Sequence, residues 1–215
     1  MLGIYLPTYR RAHKLADLAK NIEETTKSPF TLYFGLEKDD KESIKEAKKT
    51  GHKVIINTLN SSFSNAIQTI YENTSEDIFI PANDDFLFLD GWDVEPLKMM
   101  EDPNTGVLGV HDGNPSTSFS SISFIRRKYI EDESGVIDIP NRVFYPYNHN
   151  FVDNELTDTA KHRGRWAACP TPCIKHLHPS FSWLGEFPTD DTYKKNDSRF
   201  AEDSNIYNSR KRLWS

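Results

Sequence analysis

Along the first 90 residues the apolar positions switch between two periods. Leu2 to Leu6, Phe30 to Leu36, His52 to Ile56 and Asp77 to Pro81 are short runs of core-forming residues with the length of buried strands. Between them the spacing becomes helical. Leu15, Leu18, Ala19 and Ile22 make one stripe of a helix from Arg10 to about Glu24, and Phe63, Ala66, Ile67 and Ile70 do the same from Ser61 to Glu72. The charged segment Asp39 to Lys49 reads as a helix between the second and third strands. Pro7-Thr8 is read as the end of the first strand and the start of a loop. After about Gly91 the alternation gives way to turn-rich sequence, in which one further helix is expected near Asp153, running through Leu156 and Ala160.

Strands and helices in alternation predict an α/β fold, a mostly parallel sheet with helices on its faces. Ligands of such sheets bind beyond the carboxyl ends of the strands. Three polar clusters fall there: Thr8-Tyr9-Arg10, Glu37-Lys38-Asp39 and Asn83-Asp84-Asp85. The last interrupts an apolar run that resumes at once with Phe86-Leu87-Phe88-Leu89. Adjacent carboxylates among core-forming residues repel each other and lose hydration, which calls for a compensating cation. A polar turn between two strands accounts for the same residues without one. No Gly-rich fingerprint follows the first strand and no Gly-Lys-Ser phosphate loop is present, which argues against hydride transfer on a dinucleotide fold and against P-loop chemistry.

At 215 residues, 37% hydrophobic and 27% charged, the chain is expected to form one soluble domain over 1–215. No apolar run of about 18 residues and no basic leader is seen, so a cytoplasmic protein without a membrane partner is expected. The formal charge of -6 argues against broad attachment to nucleic acid, although Arg10-Arg11, Arg126-Arg127-Lys128 and Arg210-Lys211-Arg212 are local basic runs. Cys169 and Cys173, followed by His176 and His178, invite comparison with a zinc site. The two prolines of Cys-Pro-Thr-Pro-Cys hinder convergence in so tight a loop, and the spacing fits no common zinc pattern; free, partly buried thiols are expected.

The chain resembles the GT-A nucleotide-sugar glycosyltransferases, and is most similar to the inverting family that includes cellulose, chitin and hyaluronan synthases. The resemblance is carried by Ile4-Tyr5-Leu6-Pro7-Thr8-Tyr9-Arg10-Arg11, Phe63-Ser64-Asn65-Ala66-Ile67, Asn83-Asp84-Asp85 at the place of an Asp-x-Asp motif, Gly91-Trp92-Asp93, Val152-Asp153-Asn154-Glu155-Leu156 and Ile174-Lys175-His176-Leu177-His178. These span roughly residues 2 to 180 in family order. Two departures stand out: Asn83 replaces the first Asp of the motif, and Val152-Asp153 stands where the family has Glu-Asp.

The resemblance implies a GT-A fold with a nucleotide-sugar half (1–91), an acceptor half (92–180) and a C-terminal extension (181–215). It also implies a UDP-sugar donor, with GDP or dTDP sugars as alternatives, and Mn2+ or Mg2+ as cofactor. Asp85 becomes the expected metal ligand, joined by His176 or His178, since alternate strand residues face one side and imidazole suits Mn2+. Asp84 and Asn83 are expected near the sugar or ribose. Pro7, Thr8, Tyr9 and Arg10 are expected to line the nucleotide pocket, with Tyr9 stacked on the base, Glu37 accepting a base N–H, and Asn65 near the diphosphate. Asp153 is the expected general base and Glu155 the fallback; the plainer reading of Asp153 is a helix N-cap. Trp92 and Trp183 are candidate sugar platforms, or core packing. The acceptor is open among glycans, small molecules, proteins and hydroxymethylated DNA bases, the last suggested by the basic tail from Ser209 to Ser215. Two rival readings are a non-catalytic nucleotide-sugar or carbohydrate-binding protein of the same fold, and a nucleotidyltransferase, for which a Gly-rich activation loop is missing.

Overall fold

The computed structural model describes residues 1–111, 121–179, 193 and 198–214. Its first half is the expected alternation: β1 (Leu2–Thr8), α1 (Leu15–Thr25), β2 (Phe30–Leu36), α2 (Lys41–Lys49), β3 (Lys53–Ile56), α3 (Phe63–Glu72) and β4 (Ile78–Pro81). Further along come β5 (Phe86–Phe88), α4 (Val94–Met99), β6 (Val107–His111), β7 (Ser123–Arg126), α5 (Arg127–Glu133), α6 (Val152–His162), β8 (Trp166–Pro172), β9 (Ile174–His176) and α7 (Phe200–Arg210). A seven-stranded sheet has the order β3-β2-β1-β4-β7-β6-β8, parallel except for β7, which runs against both β4 and β6. β5 and β9 form a separate antiparallel pair.

The two faces of the sheet bury two cores. Leu2, Ile4 and Leu6 point to one, where they meet Leu15, Leu18, Ala19 and Ile22 of α1; Tyr5 and Phe79 point to the other, against Ile67 and Ile70 of α3 and Leu156 of α6. A side chain at Gly35 would come within 2.8 Å of Ile70, so this glycine lets α3 close on β2. Helix starts follow local chemistry, with Asp40 accepting from the Ser43 N–H and Ser62 from the Asn65 N–H.

Two local expectations are corrected. β1 continues through Pro7 to Thr8, with Pro7 opposite Gly35 on β2. Pairing of β1 with β4 stops at Tyr5 and Pro81, and the Tyr5 carbonyl accepts from Ala82 on that side. Pro7, two residues on, therefore turns its missing N–H toward a side where, among the described residues, no strand remains to pair. The Cys-Pro-Thr-Pro-Cys segment is likewise strand rather than tight loop through Pro172: among the described residues β8 lies at the sheet edge beside β6, where prolines are tolerated. Both thiols are buried and free, and burial, helped by neighbouring Cys169, pushes the Cys173 thiol up to about 12. Among the described residues no helix is long and apolar enough to cross a membrane.

Candidate active site

A cavity of about 570 Å3 opens at the carboxyl edge of β1, β2 and β4. The end of β1 contributes Pro7 and Thr8, followed by Tyr9, Arg10 and Arg11; Glu37 follows β2, and Asn83, Asp84 and Asp85 follow β4. The acidic pair thus sits in a turn between two strands and lines the pocket.

The two carboxylates are buried and turned to different partners. Asp84 is gripped by the Arg11 guanidinium and accepts from the Thr8 hydroxyl at 2.6 Å. Burial raises its pKa; Arg11 opposes this and neighbouring Asp85 reinforces it. Asp85 accepts from the Tyr193 hydroxyl at 2.9 Å through one oxygen. Its other oxygen, Oδ1, is buried without a hydrogen bond and lies 3.4 Å from His176 Nε2. Burial alone would raise the Asp85 carboxyl, but His176, Tyr193 and Arg11 outweigh it and hold it well below the usual carboxylate range.

His176 reaches this place because β9 pairs with β5 directly after the acidic turn, with Phe86 opposite His176. His178 lies beyond the end of β9, its ring 5.4 Å from that of His176 and 4.7 Å from that of Tyr193. Among the described residues no three His, Cys, Asp or Glu side chains converge as a complete metal cage. The carboxylate and imidazole that do meet suit a hard divalent ion that takes its remaining ligands from phosphate oxygens and water. An anionic, buried oxygen without a hydrogen bond is the observation that fits the group.

A second cavity, of about 200 Å3, adjoins the first and shares Phe63, Asn83, His149 and His176 with it. Asp153 lines this one. The loop leading to it, 148–150, is fixed by Asp203 of α7, which is fully buried and accepts the backbone N–H groups of Asn148 (3.0 Å), His149 (3.0 Å) and Asn150 (2.9 Å). Burial lowers the His149 pKa to about 4, so its imidazole is neutral at neutral pH.

No family model and no curated protein sequence matches the chain. Solved structures do. The chain is similar to a mannosyltransferase from Pyrobaculum calidifontis in complex with GDP-mannose and Mn2+, with a TM-score of 0.63 and 15% identity over 85% of this chain. It spans 59% of that protein's length. It is similar also to glucosyl-3-phosphoglycerate synthase from Mycobacterium tuberculosis, in complex with Mn2+, UDP and glucosyl-3-phosphoglycerate, with a TM-score of 0.63 and 12% identity over 86% of this chain and 74% of that one. A further mycobacterial protein gives a TM-score of 0.64 at 10% identity over 86% of this chain and 70% of that one. The fold is GT-A.

On this GT-A scaffold the sequence-derived site residues divide. Pro7, Thr8, Tyr9, Arg10, Glu37, Asn83, Asp84, Asp85, His176 and His178 share the larger cavity, and Asp153 lines the smaller. Tyr9 donates to Asp39 at 3.0 Å, and Glu37 accepts from Asn57 at 2.8 Å. Asn65 is turned elsewhere: its amide donates to the Asn60 carbonyl at 2.9 Å, its oxygen accepts from Arg142, and it lines neither cavity. Glu155 is 1% exposed, bound by Arg210 through both oxygens and by the Tyr147 hydroxyl at 2.6 Å. Residues two apart on a helix diverge, and here one faces a cavity while the other closes a buried ion pair. Asp153 is the second residue of α6, not its N-cap; Phe151 is the N-cap, in the left-handed region at φ 66°. Trp92 is core, with its ring 4.7 Å from Phe88 and its N–H given to Thr26. Trp183 lies outside the described residues.

Arg11, His149, Tyr193 and Arg199 also line the larger cavity and are absent from the sequence-derived set. Arg11 had a signal, a second arginine directly after the strand end. His149 had a weaker one, the polar run Asn148-His149-Asn150 between Tyr147 and Phe151.

Proposed function

We propose that the chain is a metal-dependent glycosyltransferase that moves a sugar from a UDP-sugar to an acceptor hydroxyl with inversion, in a single displacement. The branch that includes cellulose, chitin and hyaluronan synthases is the one its motifs resemble. The observation that carries the reading is Asp85 at the end of β4, one buried oxygen without a hydrogen bond and His176 Nε2 3.4 Å from it, inside a cavity of nucleotide size. The GT-A structures it resembles, which hold GDP-mannose or UDP with Mn2+, support it.

Asp85 and His176, with His178 beside them, would hold Mn2+ or Mg2+. Such an ion supplies positive charge that stabilises the departing diphosphate. The chain's own groups do the rest. Arg10, Arg11 and Arg199 give the larger cavity its cationic lining, and Arg11 orients Asp84 toward the sugar or ribose. Tyr9 offers a face to the base and Glu37 an acceptor to its N–H. Asp153, in the neighbouring cavity, takes the proton from the acceptor hydroxyl as that oxygen attacks the anomeric carbon; the bond to the diphosphate breaks on the opposite side, which inverts the centre. In this reading 1–91 supplies the donor side and 92–180 most of the acceptor side, with Phe200 added from the 181–215 segment. Glu155, neutralised by Arg210, serves packing rather than proton transfer.

Titration of UDP with and without Mn2+ tests the site. Asp85→Ala is expected to abolish the metal-dependent part of UDP binding while leaving the thermal midpoint near that of the wild type. Wild-type affinity for both UDP and Mn2+ in that variant refutes the assignment. Slow, Mn2+-dependent release of UDP from a UDP-sugar without acceptor separates an enzyme from a protein that only binds the donor.

A further inference from the structure

The smaller cavity has a chemical character distinct from the larger one. We propose that it is an acceptor subsite for an uncharged sugar ring; this rests on the glycosyltransferase reading of the larger cavity. The two share Phe63, Asn83, His149 and His176, so a group held in one adjoins a group held in the other. Asp153 lines the smaller cavity, where its carboxylate meets whatever hydroxyl is presented.

Charge narrows the occupant. Among the described residues no lysine or arginine lines the smaller cavity, whereas Arg10, Arg11 and Arg199 line the larger. The start of α6 is where a helix favours an anion, and Asp153 already fills that place with its own carboxylate. A phosphate or carboxylate on the acceptor would meet like charge there, while the ion proposed at Asp85 and His176 is matched to the donor's diphosphate. A nucleic-acid backbone is disfavoured for the same reason.

Shape and polarity narrow it further. Phe151 and Phe200 stand with ring centroids 5.2 Å apart, and Phe200 is 53% exposed at the rim, an apolar face left in water beside polar groups. Phe151 has a left-handed backbone, φ 66°, and its ring is stacked on Tyr207 at 4.9 Å. Beside these flat faces lie the amides of Asn83, Asn150 and Asn154. Amides both donate and accept, as hydroxyl groups do, while aromatic faces cover the apolar C–H side of a ring. Flat apolar faces, amides and one carboxylate, with no lysine or arginine among the described lining residues, describe a site for a neutral polyol ring.

The test uses the full chain with UDP and Mn2+ on an array of neutral oligosaccharides that also carries phosphorylated and sialylated glycans and a DNA duplex. Retention on a subset of neutral glycans is expected, falling at least fivefold in Phe200→Ala and in Phe200→Leu, which keeps bulk but loses the flat face. UDP affinity should be unchanged in both variants, and because Phe200 is exposed both should fold. Retention on anionic glycans or DNA alone, neutral binding indifferent to both substitutions, or no retention on neutral glycans overturns the proposal. Failure of the donor-site reading shows separately, as UDP binding that needs neither Mn2+ nor Asp85.

Discussion

Asp84 and Asp85 are neighbours in the chain with opposite surroundings. Arg11 and Thr8 occupy Asp84 inside the protein, while Asp85 keeps an oxygen without a hydrogen bond facing His176. One adjacent pair thereby separates a carboxylate held in place by its neighbours from a candidate metal ligand. Asp153 invites the same kind of distinction. Asp153→Asn keeps size and the local bond to the Asn154 N–H, but cannot take a proton. Transfer is expected to fall about a hundredfold or more with donor affinity near wild type; a working acceptor assay that stays within a few-fold of wild type would reject it as base. The cysteines give a prediction of a different kind. The Cys173 thiol is buried and held protonated up to about 12, against 9.0 for an exposed thiol, so it should not react with Ellman's reagent at pH 8 until urea unfolds the chain. The sign follows for stability. Between those two values the unfolded thiol ionises first, so the Cys173 contribution fades as pH rises through that window.

At the scale of elements, α7 is a latch on the acceptor side. Asp203 gathers three successive backbone N–H groups from 148–150, and Arg210 of the same helix neutralises Glu155 on α6. Asp203→Asn keeps the volume but loses the charge, and is expected to cost about 2 kcal/mol in urea denaturation. Stability within 0.5 kcal/mol of wild type would mean that the loop holds itself. None of this was legible in the sequence. The elements of the first half were, because the stripe Leu15, Leu18, Ala19 and Ile22 and the run Phe30–Leu36 encode their periods locally. Strand character was expected at Phe86 after the acidic turn and around His176, but the pairing of β5 with β9 was not: three residues each, they are joined across a gap that no local pattern spans. The candidate site divides in the same way. Residues at strand ends, Thr8, Glu37 and Asp85, followed from the topology, whereas His149 and Tyr193 arrive from segments without a period. Asn65 shows why: a polar residue on an amphipathic helix looks the same in sequence whether it meets a ligand or, as here, a neighbouring loop and Arg142.

For the molecule as a whole, the basic runs that kept a nucleic-acid partner in view are largely used internally. Arg126 donates to the Thr105 carbonyl at 3.0 Å, Arg127 to the Glu76 carbonyl at 3.0 Å and the Tyr5 hydroxyl at 3.0 Å, and Arg210 to Glu155 and Asp138. With a formal charge of -6 and these cations engaged, binding to a labelled DNA duplex at physiological salt should be weaker than about 100 µM by fluorescence anisotropy. Saturable micromolar binding would restore the DNA reading. The contact between Asp203 and Asn148 also has a schedule. It spans 55 residues of chain, so at about 5 to 20 residues per second a ribosome exposes the loop for roughly 3 to 11 s before the carboxylate that fixes it is made. The strand ends that build the donor pocket, from Thr8 to Asp85, emerge earlier still. During synthesis, a pocket able to take a nucleotide should therefore begin to form before the acceptor side can hold its shape.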